Sequence, residues 1–339
     1  MKTLQPAAGA AQGQAVREGR VPMPVPTTGP LFIVFNLGAG SGDEARVRAA
    51  IQQACGAAGR AFELMDVDDP SKLPALAREA VQRAQQAQGV VVAAGGDGTL
   101  NAVAQAVLGS GCAYGVLPQG TFNYFSRTHG IPSDTAEAMQ VLLHARAQPA
   151  QVGLVNGRVF LVNASLGLYP KLLEDREGWK QQFGRSRLVA FGAGLATLLR
   201  GYRSLRLRIE VQGKTRNVRT PTLFVGNNAL QMEQLGFSLA KDIDGGALAA
   251  IMLRPVSRLS MLALLLRGAF GKLGDTDQVI SIPCVRLNVH SARAFGARRV
   301  KVATDGEIVW LPMPLEFAVA REPLWLIRPD TPAPERAAP

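Results

Sequence analysis

The stretch that decides the fold is Val90-Val91-Val92-Ala93-Ala94-Gly95-Gly96-Asp97-Gly98-Thr99-Leu100-Asn101. It begins as an apolar run rich in β-branched residues and passes directly into three glycines around one aspartate. Beyond it, apolar residues recur at helical spacing, at Ala102, Val103, Ala106 and Val107. The pattern therefore predicts a buried strand, a glycine-rich turn and a helix, in that order.

A glycine-rich turn at the start of a helix has a chemical use as well as a structural one. The first backbone N–H groups of a helix have no partner within the helix, so they can hold a phosphate. Gly95, Gly96 and Gly98 would let the backbone approach such a ligand closely. The carboxylate of Asp97 would then meet a metal-bound nucleotide or orient the turn. The alternative is a tight turn that binds nothing.

Two further segments repeat this arrangement. The apolar run 31–35 leads into the glycine-rich segment 36–42, and residues 114–117 lead into the segment 118–127. Strands that alternate with helices predict a parallel sheet with crossover helices. Ligands of such sheets lie beyond the carboxyl ends of the strands, where all three turns fall. The sequence thus predicts an α/β N-terminal domain with a mostly parallel sheet.

The pattern changes after residue 150. The segment Ser133-Asp134-Thr135 is predicted to cap a helix that runs to about Ala147, with Glu137 as the capping-box partner of Asp134. Beyond it, short β-rich runs are separated by turn pairs, Asn156-Gly157 and Gln212-Gly213. Such pairs are typical of tight β-hairpins. We therefore predict a C-terminal antiparallel domain that resembles a β-sandwich.

Charge and composition narrow the classes of partner. The formal net charge is +11, and residues 171–219 hold 12 Lys/Arg against 4 Asp/Glu, a local excess of +8. Such an excess favours anionic partners, although a solvated basic face without a partner is the alternative. Aromatic residues make up 6% of the chain and no nucleic-acid-binding motif is present, so we expect no nucleic acid and favour an anionic membrane surface.

The remaining composition suggests a cytoplasmic protein. Three scattered cysteines suit a reducing compartment, and neither they nor the three histidines form a metal motif. Residues 1–29 lack the apolar core of a signal peptide, and the longest nearly apolar run, 189–199, is too short to span a membrane. Two basic amphipathic helices, predicted at 186–200 and 258–272, suggest peripheral association with a membrane.

The three turns also resemble a known family. Residues 95–101, GGDGTLN, resemble the nucleotide signature of the diacylglycerol kinase and sphingosine kinase superfamily, with the soluble bacterial lipid kinases as the nearest branch. Residues 118–127 resemble that family's Pro-x-Gly-Thr-x-Asn-Asp-x-Ala-Arg segment, with Tyr124 at the second acidic position. The first turn departs further, because Leu37 replaces a proline. The signature is neither a P-loop nor a GxGxxG motif.

The resemblance implies that ATP is the co-substrate and that Mg²⁺ is bound. It assigns the nucleotide to residues of the three turns: Asn36, Leu37, Gly38, Ala39, Gly40, Gly95, Gly96, Asp97, Gly98, Thr99, Leu100, Asn101 and Thr121. It assigns Mg²⁺ to the side chain of Asp244 and to the backbone carbonyls of Lys241 and Gly246. These are oxygen ligands, which hard cations prefer.

A catalytic base is implied by Asp305-Gly306-Glu307, which resembles the family's Asp-Gly-Glu motif. A lipid hydroxyl needs a positioned carboxylate to accept its proton as it attacks the γ-phosphoryl group. Glu307 is the candidate base. Asp305 would orient Glu307 or a metal, and Asp97 would orient the metal-bound phosphates.

We accordingly interpret the chain as a cytoplasmic ATP-dependent lipid kinase, associated peripherally with the membrane. The expected domains are a disordered leader (1–29), an ATP-binding α/β domain (30–150), a β-rich lipid-substrate domain (151–328) and a disordered tail (329–339). The last strands of the β-rich domain either stay in that domain or pack back on the first domain. The acceptor would be a diacylglycerol-like or sphingoid-like lipid, and a homodimer is left open.

Two alternatives remain at this point. An NAD kinase shares a GGDGT loop and a two-domain plan, but here Gly226-Asn227-Asn228 only distantly resembles its adenosine loop. A non-catalytic lipid- or nucleotide-binding protein is the other alternative, favoured by Leu37 and Tyr124 and opposed by the retained Glu307.

Overall fold

The computed structural model describes residues 27–36, 44–168, 170, 204–257, 260, 276–292 and 298–330. The chain divides into two compact units. Among the described residues, the N-terminal unit contains 27–152 together with 320–330, and the C-terminal unit lies within 153–319. The predicted helices at 186–200 and 258–272, and Leu37 to Gly40 of the first turn, lie outside the described residues.

The N-terminal unit is built on one six-stranded sheet. With strands numbered along the whole chain, it contains β1 (Leu31–Asn36), β2 (Phe62–Val67), β3 (Val90–Gly95), β4 (Ala113–Pro118), β5 (Arg146–Ala150) and β18 (Leu324–Arg328). The strand order is β2-β1-β3-β4-β18-β5. All neighbours are parallel except β18 and β5, so the predicted mostly parallel sheet is confirmed.

Helices connect these strands. They are α1 (Glu44–Ala57), α2 (Leu73–Ala87), α3 (Asp97–Val107), α4 (Tyr124–Thr128) and α5 (Thr135–His144), with a short 3₁₀ turn at Pro70–Lys72. In α2 the buried residues recur at helical spacing, from Leu73 through Ala77 and Ala80 to Ala84, so one face of the helix is apolar. The strands are buried on both sides, as all six residues of β3 illustrate.

The strand order places a topological switch point at β1. From β1 the chain moves to β2 on one side, and then returns to β3 on the other side. The chain connections after β1 and β3 therefore run toward opposite sides of the sheet, and sheets of this kind bind ligands at the carboxyl ends of the strands at such a point. Asn36 ends β1 and Gly95 ends β3, so the fold brings these two residues to the switch point.

One predicted helix is too long. The helix expected to reach Ala147 ends at His144, and Arg146–Ala150 forms β5. The reason is tertiary, because β5 pairs antiparallel with β18, whose residues follow almost two hundred positions later. The predicted helix start is correct, since the Asp134 side chain accepts hydrogen bonds from the N–H groups of Ala136 and Glu137.

The C-terminal unit contains two antiparallel six-stranded sheets. Its strands are β6 (Gly153–Val155), β7 (Arg158–Phe160), β8 (Asn163–Gly167), β9 (Leu205–Val211), β10 (Lys214–Thr220), β11 (Thr222–Gly226), β12 (Leu248–Leu253), β13 (Val279–Cys284), β14 (Arg286–Ser291), β15 (Arg299–Thr304), β16 (Glu307–Pro312) and β17 (Leu315–Val319). The strand orders are β10-β9-β14-β17-β6-β7 and β13-β12-β11-β8-β15-β16. Apolar residues of both sheets form one buried cluster that includes Phe160, Phe317 and Val302, which confirms the predicted antiparallel sandwich.

Two β-rich runs are each divided between the two sheets. The run 214–223 breaks at Pro221 into β10 and β11, and the run 279–289 breaks at Val285 into β13 and β14. Proline cannot donate a ladder hydrogen bond, which explains the first break. Two short helices, α6 (Ala229–Gln234) and α7 (Ala240–Asp244), form a second buried cluster with Ala249 and Ile251 of β12.

Candidate functional site

The first two turns are joined by a side-chain hydrogen bond. The Asn36 side-chain amide at the end of β1 donates to the Thr99 hydroxyl in the first turn of α3, at 2.8 Å. Thr99 is only 4% exposed. Gly95 leaves room for it, because a Cβ at Gly95 would lie 2.6 Å from the Thr99 Cβ and Oγ1. The glycine is therefore required by packing, and the hydrogen bond ties the end of β1 to the first turn of α3.

The start of α3 has the features of an anion site. The helix begins at Asp97, and Gly96 at the N-cap position offers no side chain to bond the first helical N–H groups. The helix runs for 11 residues, with its first i to i−4 bond from Leu100 N–H to the Gly96 carbonyl at 3.0 Å. N–H groups and the helix dipole at such an end favour negative charge. The arrangement therefore suits a phosphate group.

The third turn approaches the second through its backbone. A Cβ added at Gly120 would lie 3.1 Å from the Gly96 Cα and 2.8 Å from the Asn123 Oδ1. The Asn123 backbone is left-handed, with φ 47°, and its side chain closes its own loop. Its Oδ1 accepts from the Gly120 N–H at 3.0 Å and its Nδ2 donates to the Gly120 carbonyl at 2.8 Å. Asn123 therefore shapes the loop, which presents Thr121 as an exposed residue.

In the C-terminal unit, Asp305 and Glu307 flank the tight turn between β15 and β16. Asp305 (φ 48°) and Gly306 (φ 90°) are left-handed, as a two-residue hairpin turn requires. The Asp305 carboxylate accepts three backbone hydrogen bonds, from the N–H groups of Leu161 at 2.7 Å and of Val162 and Asn163 at 2.9 Å each. This carboxylate therefore positions the hairpin against the residues that precede β8.

Glu307 occupies the first position of β16 and its side chain is 55% exposed. Partial burial of the carboxyl group raises its pKa above the ordinary value. The positive charge of Arg158 opposes this rise, and the nearby Asp305 carboxylate adds to it. The Arg158 Nη2 lies 3.8 Å from the Glu307 Oε2. A carboxylate with a raised pKa is a better proton acceptor than an ordinary one.

Two residues near Glu307, Arg158 and Thr304, belong to no sequence motif and were not predicted as site residues. Arg158 on β7 meets Glu307 only because the chain returns to it 149 residues later. Thr304 pairs directly across the hairpin from Glu307, is 2% exposed, and its hydroxyl has no hydrogen-bond partner among the described residues. Paired residues project from the same face of a sheet, so the Thr304 and Glu307 side chains are neighbours. A buried hydroxyl without a partner is costly, which makes Thr304 a position to test.

The turn assigned to Mg²⁺ has suitable chemistry. Asp244, the last residue of α7, is exposed, and Gly246 takes a left-handed φ of 97°. The Lys241 carbonyl accepts the Gly245 N–H at 2.9 Å, which leaves its second lone pair. Among the residues that the structure describes, no group of three or more His, Cys, Asp or Glu side chains could hold a metal. One carboxylate and two backbone carbonyls are nevertheless oxygen ligands of the kind that Mg²⁺ takes.

Each of the two units contains residues that match a known family model. Residues 30–155 match the family model described as "Diacylglycerol kinase catalytic domain", and residues 180–328 match the "YegS C-terminal NAD kinase beta sandwich-like domain". A "Diacylglycerol kinase" of Bacillus subtilis is 34% identical over 128 residues, 37% of this chain and 42% of that protein. A "Probable lipid kinase YegS-like" protein of Cronobacter sakazakii is 29% identical over 158 residues, 44% of this chain and 50% of that protein. The chain thus spans at most half the length of these two relatives.

A solved structure extends the likeness over the whole fold. "The crystal structure of a diacylglycerol kinases from Bacillus anthracis str. Sterne" superposes with a TM-score of 0.62 and 17% identity, over 89% of this chain and 97% of that one. At 17% sequence identity, the superposition shows a shared fold and carries no conclusion about activity. Among the helices of the described residues, none is long and apolar enough to span a membrane.

Proposed function

We propose that the protein is an ATP-dependent lipid kinase, on the basis of the match of residues 30–155 to the diacylglycerol kinase catalytic domain. It would transfer the γ-phosphoryl group of ATP to a lipid hydroxyl at a membrane surface. The observation that carries the proposal is the meeting of Asn36 with the second and third glycine-rich turns at the carboxyl ends of β1, β3 and β4. This junction has the donors and the open backbone that a nucleotide phosphate needs.

In this proposal the N-terminal unit holds ATP. The N–H groups at the start of α3 would bind phosphate oxygens, and Thr121 would add a hydroxyl donor. Asn36 would act through Thr99, by keeping the first turn beside the second. Such positioning is most of what phosphoryl transfer requires from a protein, because the transition state has little covalent bonding to the transferred group.

Glu307 would be the general base. Its carboxylate accepts the proton of the lipid hydroxyl while that oxygen bonds to the γ-phosphorus. The bond from the γ-phosphorus to the β–γ bridging oxygen breaks at the same time, and ADP leaves with that oxygen. The raised pKa of Glu307 supports this role, and the three hydrogen bonds to Asp305 support a positioning role for its neighbour.

Asp244 and the carbonyls of Lys241 and Gly246 would hold Mg²⁺. When bound, the ion supplies positive charge that offsets the negative charge of phosphate groups. The Thr304 hydroxyl, beside Glu307, would hydrogen-bond the polar head of the acceptor lipid. A diacylglycerol or a sphingoid base offers a hydroxyl of this kind next to its long chains.

The test is transfer of labelled γ-phosphate from ATP to diacylglycerol, a sphingoid base, phosphatidylglycerol or NAD, with wild type beside Glu307→Gln. We expect transfer to one lipid, reduced roughly 10²- to 10⁴-fold by Glu307→Gln. Glu316→Gln is the matched control, because Glu316 is an exposed carboxylate of the same unit in an ion pair with Arg286. Transfer to NAD alone would favour an NAD kinase, and ATP binding without transfer to any acceptor would favour a binding protein.

A further inference from the structure

We propose that the outer face of the β15–β16 hairpin docks the protein onto an anionic lipid membrane. We call this surface the Trp310 face, and define it by Arg299, Lys301, Ile308, Trp310 and Pro312. This inference rests on the proposed function, because the lipid substrate is the reason for choosing a membrane as the partner.

The strand register assigns these five residues to one side of the hairpin. Arg299 pairs with Pro312 and Lys301 pairs with Trp310, so each pair projects from the same side. The alternate residues Val300, Val302, Val309 and Leu311 pack in the sandwich core. The Trp310 face is therefore directed away from the sandwich core, and β16 forms the edge of its sheet. Ala303, which pairs with Ile308 on this side, is buried, so the exposed part of the Trp310 face lies at Arg299, Trp310 and Pro312.

Exposure of Trp310 is unusual in this chain. Its side chain is 54% exposed, and among the described residues Phe122 is the only other large hydrophobic residue that is exposed. Ile308 is half-buried and Pro312 is exposed beside it. Tryptophan is enriched at membrane–water interfaces, because its ring is largely apolar while its N–H stays near the polar headgroups.

Cations surround the exposed ring. The Lys301 Nζ lies 5.4 Å from the centre of the Trp310 ring, and the Arg299 Nη2 donates to the Trp310 carbonyl at 2.8 Å. Arg298 is exposed directly before β15. The one acidic residue of the two strands, Glu307, projects from the opposite side. The five residues that define the Trp310 face thus combine an exposed indole with two cations and no carboxylate, which is complementary to anionic headgroups.

The location relates the membrane to the proposed base through the edge of the sheet. Glu307 and Trp310 lie three residues apart on β16, which corresponds to roughly 10 Å along a strand. They project from opposite sides of the hairpin, so a membrane bound at Trp310 would lie beside the edge strand β16 and not over Glu307. A lipid would have to pass around this edge to present its hydroxyl to the base.

The experiment measures vesicle binding of the full chain without ATP, on phosphatidylglycerol/phosphatidylcholine vesicles and on phosphatidylcholine vesicles. We expect Trp310→Ser to weaken binding to the anionic vesicles on the order of tenfold, from the apolar area it no longer buries. The double variant Arg299→Gln/Lys301→Gln should weaken it roughly 25-fold at low salt and less at high salt. Arg46→Gln/Arg78→Gln removes two exposed arginines of α1 and α2 and should bind like the wild type.

Equal vesicle binding by wild type and Trp310→Ser would overturn the proposal. So would a wild-type dimer that Trp310→Ser dissociates without a change in vesicle binding, because the edge strand would then serve a second copy. A separate assay on a short-chain, water-soluble diacylglycerol keeps the two proposals distinguishable. We expect Trp310→Ser to retain full turnover there, whereas failure of the wild type to phosphorylate any lipid would overturn the kinase proposal and leave the vesicle result standing.

Discussion

The side-chain amide of Asn36 donates a hydrogen bond to the hydroxyl of Thr99 across 63 positions of sequence. One residue ends the first strand of the parallel sheet, and the other lies in the first turn of the helix that follows the third strand. These strands are neighbours at the switch point of the sheet. The bond therefore connects two loops at the place where this kind of fold binds ligands.

We expect loss of this bond to weaken ATP binding more than folding. Thr99→Val removes the acceptor and should raise the KM for ATP roughly tenfold or more, because misplaced loops bind phosphate poorly. The cost in free energy of unfolding should be about 1 kcal/mol. Steady-state kinetics and urea unfolding measure the two quantities. Thr99→Ser keeps the hydroxyl as a control, and an unchanged KM in Thr99→Val would contradict the assigned role.

Gly120 should tolerate no side chain. In Gly120→Ala the new Cβ would lie 3.1 Å from the Gly96 Cα and would press on the Asn123 side chain, so the two loops must separate. We expect a loss of about 1–3 kcal/mol of stability together with weaker ATP binding. The matched variant is Gly56→Ala in α1, where no atom lies within 4 Å of the new Cβ, and it should gain about 0.5–1 kcal/mol. Calorimetric binding and thermal unfolding of both variants test the contrast.

The pH dependence of kcat/KM should change when the positive charge of Arg158 is removed. Turnover requires ionised Glu307, so kcat/KM should rise with pH through the pKa of Glu307. Because the Arg158 charge lowers that pKa, Arg158→Gln should move the acidic limb to higher pH. Arg158→Lys retains the charge and should leave the limb nearer its original position. If both variants show the wild-type profile, the limb belongs to another group.

Thr304→Val should separate stability from activity. The substitution removes a buried hydroxyl that has no hydrogen-bond partner among the described residues, so the free energy of unfolding should rise by about 1 kcal/mol. If the hydroxyl serves the acceptor lipid, phosphorylation should fall in the same variant while ATP binding stays constant. Thr304→Ser should preserve activity. A Thr304→Val protein that is both more stable and fully active would refute a substrate role.

His129 should make the N-terminal unit sensitive to acid. Its ring packs against Phe125 with ring centroids 4.7 Å apart, and its Nδ1 lies 3.1 Å from the Arg328 Nη1. Burial of the ring lowers the pKa of His129 to about 3, and the Arg328 charge contributes. The unfolded chain therefore binds more protons than the native one between the ordinary value of 6.5 and about 3, so stability is lost as pH falls through this window.

His129→Asn keeps an acceptor for Arg328 but cannot titrate in this range. Urea unfolding at several pH values should show a shallower loss of stability below pH 6.5 than in the wild type. The difference in slope is at most about 1.4 kcal/mol per pH unit. Parallel curves for the two proteins would mean that His129 is not buried in its neutral form.

Local sequence was sufficient where the structure depends on neighbours along the chain. Alternating apolar runs, glycine-rich turns and the Asp134 cap predicted the parallel sheet and its crossover helices. The turn pairs Asn156-Gly157 and Gln212-Gly213 adopt the left-handed conformations that hairpins need. These features follow from backbone conformational preferences and side-chain periodicity, which are properties of short segments.

Tertiary structure alone decided the features that depend on residues far apart in sequence. The strand Arg146–Ala150 exists because β18 returns to pair with it, so helical periodicity near Ala147 was misleading. The runs that break at Pro221 and Val285 change sheets, which one sandwich core requires and no local pattern reveals. Likewise Arg158 beside Glu307, and the three N–H groups on the Asp305 carboxylate, arise from strand pairing. The sequence determined which groups can perform chemistry, and long-range packing decided which of them meet.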